Sequence, residues 1–150
     1  MSTLTLLVVD DQLSVRSTLG YLLTAHGYEV LLAGSGREAL ALAESRIFDA
    51  ALVDLHMPNL DGATVCRTLC ERAHAQGRAL PVWLMTAAYT TSADAHARAS
   101  GARALLKKPF DCDAWVLELE NQLALPPPAA SEIVPLPSVA ENAMLSEATG

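Results

Sequence analysis

Asp10, Asp11, Asp54, Thr86 and Lys108 are the residues of this chain that could do chemistry together, because each stands at or just past the end of a short apolar run. Leu4–Val9 leads into the acid pair, Ala50–Val53 into Asp54, Val82–Met85 into Thr86, and Ala102–Leu106 into Lys107, Lys108 and Pro109. If these runs are parallel strands of one sheet, their carboxyl ends share an edge, and three carboxylates, a hydroxyl and an ammonium meet in a shallow pocket. Two like charges 4 Å apart repel by roughly 4 kcal/mol at an effective dielectric near 20, and a divalent cation removes that repulsion. Mg2+ fits, since it takes few protein carboxylates, keeps several waters and is completed by phosphate oxygens. One carboxylate can then attack a phosphoryl group and become an acyl phosphate, with the cation and Lys108 stabilising charge on the phosphoryl oxygens. Asp54 is the better nucleophile: it is single, ends the presumed central strand and precedes the Met57–Pro58–Asn59 loop. Asp10 and Asp11 are better placed as paired metal holders.

The elements that must position these residues alternate strand with helix. Val15, Leu19, Leu22 and Leu23 share one face of a first helix that stops at Gly27. Tyr28–Ala33 is a second strand, and Ser35 with Glu38 forms a capping box ahead of Ala39, Leu42 and Ala43. Val65 and Leu69 mark a third helix, and Pro81 opens the fourth run. Thr91 or Ser92 caps a short helix that ends at Gly101, and Asp111 caps a last one carrying Val116, Leu119 and Leu123. Such alternation implies right-handed crossovers and an α/β fold, a parallel sheet with helices on both faces. Nearly continuous apolar strands agree with a sheet covered on both sides.

At 150 residues the chain suits one domain, and 51% hydrophobic residues are enough for a substantial core. The net charge of −7 argues against direct nucleic-acid binding, which wants a basic face. An apolar start interrupted by two aspartates predicts neither a signal peptide nor a membrane span. Three cysteines, without a disulfide framework, point to a reduced, cytoplasmic setting. Residues 126–150 differ from the rest: five of the eight prolines and a charge of −3 lie there, which predicts an extended tether. A second capping-box pattern at Ser138–Glu141 marks a short helix over 138–147 as the alternative.

Taken together, four motifs carry a family likeness. Val8–Asp11, the stretch from Val53 through Asp54 and Pro58 to Gly62, Met85–Ala87 and Lys107–Phe110 make the chain from about Leu4 to Leu125 resemble the receiver domain of bacterial two-component response regulators, with residues 1–125 as the domain. The resemblance implies a doubly wound sheet of five parallel strands in flavodoxin-like order 2-1-3-4-5. It implies that Asp54 accepts a phosphoryl group from a histidine kinase or histidine phosphotransfer protein. Asp11 and Asp54 would ligate Mg2+ directly, Asp10 through water, and the backbone carbonyl of His56 would complete the set. Lys108 would pair with the phosphoryl group, Pro109 would support its loop, and Thr86 would swing to hydrogen-bond the phosphoryl oxygens. That movement would bias the face of the fourth helix, fifth strand and fifth helix toward an output protein or a phosphorylation-linked dimer. With no room for a DNA-binding or catalytic output domain after residue 125, a stand-alone module working by protein contact or onward phosphotransfer is expected.

Some positions depart from that family's pattern. The aromatic often found three residues before the lysine is Leu105 here, which puts an aromatic switch at that site in question; Tyr89 could take part of the role or be an ordinary loop residue. His56 and Ala88 stand where the family tunes phosphoryl lifetime, and His56 either directs water or is simply an exposed loop histidine. Cys66, Cys70 and His74 share a helix stripe, but three drifting ligands without a fourth make core packing the better reading than zinc. Trp115 either faces a partner or is partly buried, and Trp83 belongs to the core. Two other functions stay open: a degenerate receiver that binds partners without phosphorylation, and a haloacid-dehalogenase-type phosphatase, although the latter needs Asp-x-Asp where Asp10 is followed by Asp11 and Gln12.

Overall fold

The computed structural model describes residues 3–124, so the tail after residue 125 and its expected 138–147 helix lie outside the described residues. Five strands alternate with five helices: β1 (Thr5–Val9), α1 (Leu13–Ala25), β2 (Glu29–Ala33), α2 (Gly36–Ser45), β3 (Ala50–Asp54), α3 (Gly62–Ala75), β4 (Val82–Thr86), α4 (Thr91–Ala99), β5 (Leu105–Lys107) and α5 (Cys112–Ala124). The strands are parallel and lie in the order β2-β1-β3-β4-β5, the doubly wound arrangement that the sequence predicts.

Alternation along each strand divides the core in two. Leu7, Val9, Ala51, Val53 and Leu84 point to one side, where Ala39 of α2, Val65, Cys66 and Leu69 of α3 and Ala97 of α4 cover them. Leu6, Val8, Leu52, Trp83 and Met85 point to the other, beneath Leu19 and Leu23 of α1 and Trp115, Val116 and Leu119 of α5. Cys66 is therefore core, as expected, and His74 is exposed.

The structure corrects several expectations. Trp115 is only 3% exposed: it meets Trp83 edge to face with ring centroids 5.3 Å apart, so it packs α5 onto β4 and offers nothing to a partner. The Trp83 indole N–H donates to Glu118 Oε2 at 3.0 Å, a second tie between that strand and α5. Thr90, not Thr91 or Ser92, caps α4, because its backbone is extended and its hydroxyl accepts the Ala93 N–H at 2.9 Å. The fifth strand is shorter than the run Ala102–Leu106, since Gly101 at φ 106° turns the chain and pairing with β4 begins at Leu105. Ser35 does accept the Glu38 N–H, but the Glu38 carboxylate takes the N–H of Gly34, one residue earlier than a capping box requires.

The passage from β3 to α3 sets the position of Asp54. Asn59, at φ 71°, occupies a left-handed conformation that asparagine tolerates. Asp61 caps α3 by accepting the Thr64 N–H at 2.9 Å, and that bond holds its carboxyl below the usual carboxylate range. Gly62 donates to the Leu55 carbonyl at 2.9 Å, and a Cβ there would overlap the Asp54 carbonyl oxygen. The close approach of α3 to the end of β3 thus demands glycine. Gly62→Ala is expected to cost about 1–3 kcal/mol in urea unfolding through overpacking. Asp61→Ala is expected to cost about 1 kcal/mol at pH 7. Because the folded-state pKa of Asp61 is depressed, that difference should disappear as pH falls below 3.8 and the cap protonates, which unfolding curves across acid pH will show.

Candidate functional site

Sheet register brings the polar strand ends together. Val9 pairs with Val53, which puts Asp10 beside Asp54, and Thr86 pairs with Lys107, which brings Lys108 to the same edge. Carboxylate oxygens of Asp10, Asp11 and Asp54 all lie within 4.8 Å of one another, and among the described residues this is the one such group of metal-ligating side chains. Cys66, Cys70 and His74 do not converge as such a group.

Asp10 is wholly buried, and each of its polar atoms is engaged. Its N–H donates to the Ala33 carbonyl at 3.1 Å and its own carbonyl accepts from Arg16 Nη1 at 2.9 Å. Oδ1 accepts the Gln12 N–H at 2.9 Å and Oδ2 accepts from Lys108 Nζ at 2.8 Å. Asp11, by contrast, is exposed, and Asp54 is nearly buried at the end of β3. Lys108 Nζ also lies 3.4 Å from Asp54 Oδ1, so one ammonium serves two carboxylates.

One positive charge is too little for three acids. Burial and then the Asp10 charge push the Asp54 carboxyl up to about 6, against the opposing pull of Lys108. Burial works against the Lys108 ammonium, yet its hydrogen bond to Asp10 and the charges of Asp54 and Asp10 hold its pKa above the usual value. The surplus of negative charge at the edge thus adds to burial at Asp54 and outweighs burial at Lys108. This donor set, all oxygen and under-neutralised, fits a hard divalent cation such as Mg2+.

The other predicted residues surround this cluster with uneven engagement. Thr86 is fully buried, its hydroxyl accepts the Ala88 N–H at 3.0 Å, and its carbonyl accepts the Lys108 N–H at 2.7 Å. The hydroxyl is thus turned into its own loop. His56, Ala88 and Tyr89 are exposed, and among the described residues no hydrogen bond reaches the His56 carbonyl. The Lys108–Pro109 peptide is cis, and Pro109 is exposed at the rim. Leu105 is 5% exposed and faces the α3–α4 side of the core, while its N–H donates to Asp94 Oδ1 at 3.1 Å.

Sequence reasoning missed two features. One is Arg16, which the sequence did not single out and which donates to the Asp10 carbonyl. A cleft of about 510 Å³ between α1 and the start of α5 opens beside Lys108 and Gln12, walled by Val15, Leu19, Leu22 and Phe110. Leu22, on the apolar face predicted for α1, is 37% exposed along this cleft; a stripe wider than α1 needs was the available signal.

Comparison with known proteins agrees with this geometry. The response regulator receiver domain family matches residues 6–120. The transcriptional regulatory protein ZraR of Escherichia coli O157:H7 is 39% identical over 119 residues, 79% of this chain and 26% of that protein. The response regulator MprA of Mycolicibacterium vanbaalenii is 43% identical over 105 residues, 70% of this chain and 44% of its own length. The chain therefore spans less than half the length of these curated relatives. Among solved structures, chemotaxis protein CheY4 of Vibrio cholerae superposes with a TM-score of 0.72 at 29% identity, covering 80% of this chain and 98% of that one. The response regulator TrrA of Thermotoga maritima, in complex with Mg2+ and beryllofluoride, gives 0.69 at 27% identity over 79% of this chain and 98% of its own. A parallel sheet in 2-1-3-4-5 order with an acid cluster and a lysine at its carboxyl edge thus has a family: the chain belongs to the response regulator receiver domains, the phosphoacceptor switch modules of two-component signalling.

Proposed function

We propose that Asp54 is the phosphoacceptor, receiving its phosphoryl group from a histidine kinase or histidine phosphotransfer protein in the cytoplasm. The observation that carries this reading is the acid cluster within 4.8 Å, with Lys108 shared between Asp10 and Asp54. Asp11, Asp54 and the His56 carbonyl are the groups that would hold Mg2+, and Asp10, saturated by hydrogen bonds, would act through water. The cation would supply neutralisation of the carboxylates and of the phosphoryl oxygens.

In the transfer, an Asp54 Oδ attacks phosphorus, the O–P bond forms as the donor's N–P bond breaks, and the electron pair remains on the leaving imidazole nitrogen. Lys108 is placed to leave Asp54 for the phosphoryl oxygens while keeping its hold on Asp10. Thr86 would exchange its bond from Ala88 for one to the phosphoryl group, which pulls on the loop before α4. The phosphoryl group ends on the chain itself, so this is a signalling event rather than turnover. The apolar cleft between α1 and α5 opens next to Lys108, where a donor must approach, and its lining suits a helical partner surface. Free Cys66, Cys70 and Cys112 support the cytoplasmic placement, and among the described residues no helix is long and apolar enough to cross a membrane.

Incubation with acetyl phosphate and Mg2+ should add the mass of one phosphoryl group, and Asp54→Asn should abolish the gain. An intact mass that never changes would favour a module that binds without phosphorylation, and sustained hydrolysis of phosphate esters would favour a phosphatase. Acid–base behaviour offers a separate check. In metal-free buffer the folded chain protonates Asp54 at about 6, whereas the unfolded chain does so near 3.8. The folded state binds more protons between these values, so stability falls as pH rises through that window and then levels off. Asp54→Asn removes the fall. Thermal unfolding in chelator should show the variant more stable than the parent at pH 7 and equal to it near pH 4, and Mg2+ should narrow the gap at pH 7.

A further inference from the structure

Arg16 is the sole ionic residue of α1, and it is not spent on solvent. Its half-buried guanidinium makes no ion pair among the described residues; Nη1 instead donates to the main-chain carbonyl of Asp10 at 2.9 Å. The group lies against Gly34 in the turn after β2, where a Cβ would sit 3.1 Å from Nη1 and 3.4 Å from Cζ. Gly34 in turn is fastened to α2 through the Glu38 carboxylate, which accepts its N–H at 2.7 Å. The guanidinium of α1 therefore lies between the end of β1 and the turn after β2.

That carbonyl begins the peptide leading into Asp11. Asp10 has its side chain anchored by Gln12 and Lys108, but the Asp11 side chain is exposed and makes no hydrogen bond among the described residues. Its aim toward Asp54 depends on the main chain alone. We propose that Arg16 is a positioning residue: by clamping the Asp10 carbonyl it fixes the peptide plane that directs the Asp11 carboxylate into the acid cluster. Gly34 is the complementary part, since any larger residue would crowd the guanidinium. The effect on cation binding rests on the function proposed above, whereas the restraint on the loop does not.

The test uses the full chain with Arg16→Met, which keeps the aliphatic stem, Gly34→Ala, which leaves Arg16 in place, and the double variant. Amide hydrogen exchange in chelator is the first readout: the Gln12 amide should exchange faster in both single variants, while core amides of β1 and β3 keep the parental rate. Unchanged Gln12 exchange in folded Arg16→Met overturns the proposal. The second is Mg2+ titration, in which Arg16→Met should weaken affinity on the order of tenfold, typical of losing a partner behind a metal ligand. Gly34→Ala should lower affinity in the parent and have no further effect once Arg16 is gone. Additive losses, or a loss of thermal stability with affinity intact, would mean that Arg16 is structural only. Parental protein that binds no Mg2+ would defeat the proposed function, and the exchange data would still decide the role of Arg16. Should Arg16→Met fail to fold, Gly34→Ala carries both readouts by itself.

Discussion

A lysine ammonium held between two buried carboxylates is the interaction on which this site depends. Lys108 Nζ reaches Asp10 Oδ2 at 2.8 Å and Asp54 Oδ1 at 3.4 Å, joining residues 98 positions apart in the first case. Such a bridge requires β1, β3 and β5 to present their carboxyl ends in one plane, with β4 between the last two. The strand order, the short fifth strand and the tight turn into α5 all serve that arrangement. Two carboxylates and one ammonium already leave a net −1, and Asp11 beside them makes it −2. The site consequently keeps an unmet demand for positive charge, which adds to burial in raising the Asp54 pKa.

Rigidity around the cluster comes from packing that leaves little slack. Each strand contributes alternate residues to two separate cores, so a shift of one strand would disturb both faces. Gly62 brings α3 against the carbonyl of Asp54 itself, and Asp10 is tied by every polar atom it has. The exposed members, Asp11 and His56, are the ones left to meet a ligand. Burial and exposure thus divide the cluster into a fixed half and an approachable half.

Much of this was legible in the sequence. Each apolar run stops at a residue of distinctive chemistry, and period-two burial on both faces leaves such runs uninterrupted, so strand ends and sheet type could be read together. What could not be read had physical causes. Thr90, Thr91 and Ser92 are three consecutive hydroxyl residues, and only backbone geometry selects the one that caps α4. Trp115 lies on the same inward stripe as Val116 and Leu119, yet an aromatic at the start of a helix suits an interface equally well. Arg16 has a main-chain partner, which no pattern of side chains reveals. The direction of the Thr86 hydroxyl, toward Ala88 rather than the acids, is likewise a matter of rotamer, and no residue type encodes it.

The edge-to-face contact of Trp83 with Trp115 has a spectroscopic consequence. The chain contains two tryptophans, and both belong to this one joint between β4 and α5. Intrinsic indole emission is therefore a local signal, insensitive to the outer faces of α2, α3 and α4. Trp83 sits on the strand that ends in Thr86, and its N–H leans on Glu118 of α5. Any rearrangement that slides the strand against that helix changes ring overlap and the carboxylate contact at once, so the molecule carries its own optical gauge of whether events at the acid cluster reach its far side.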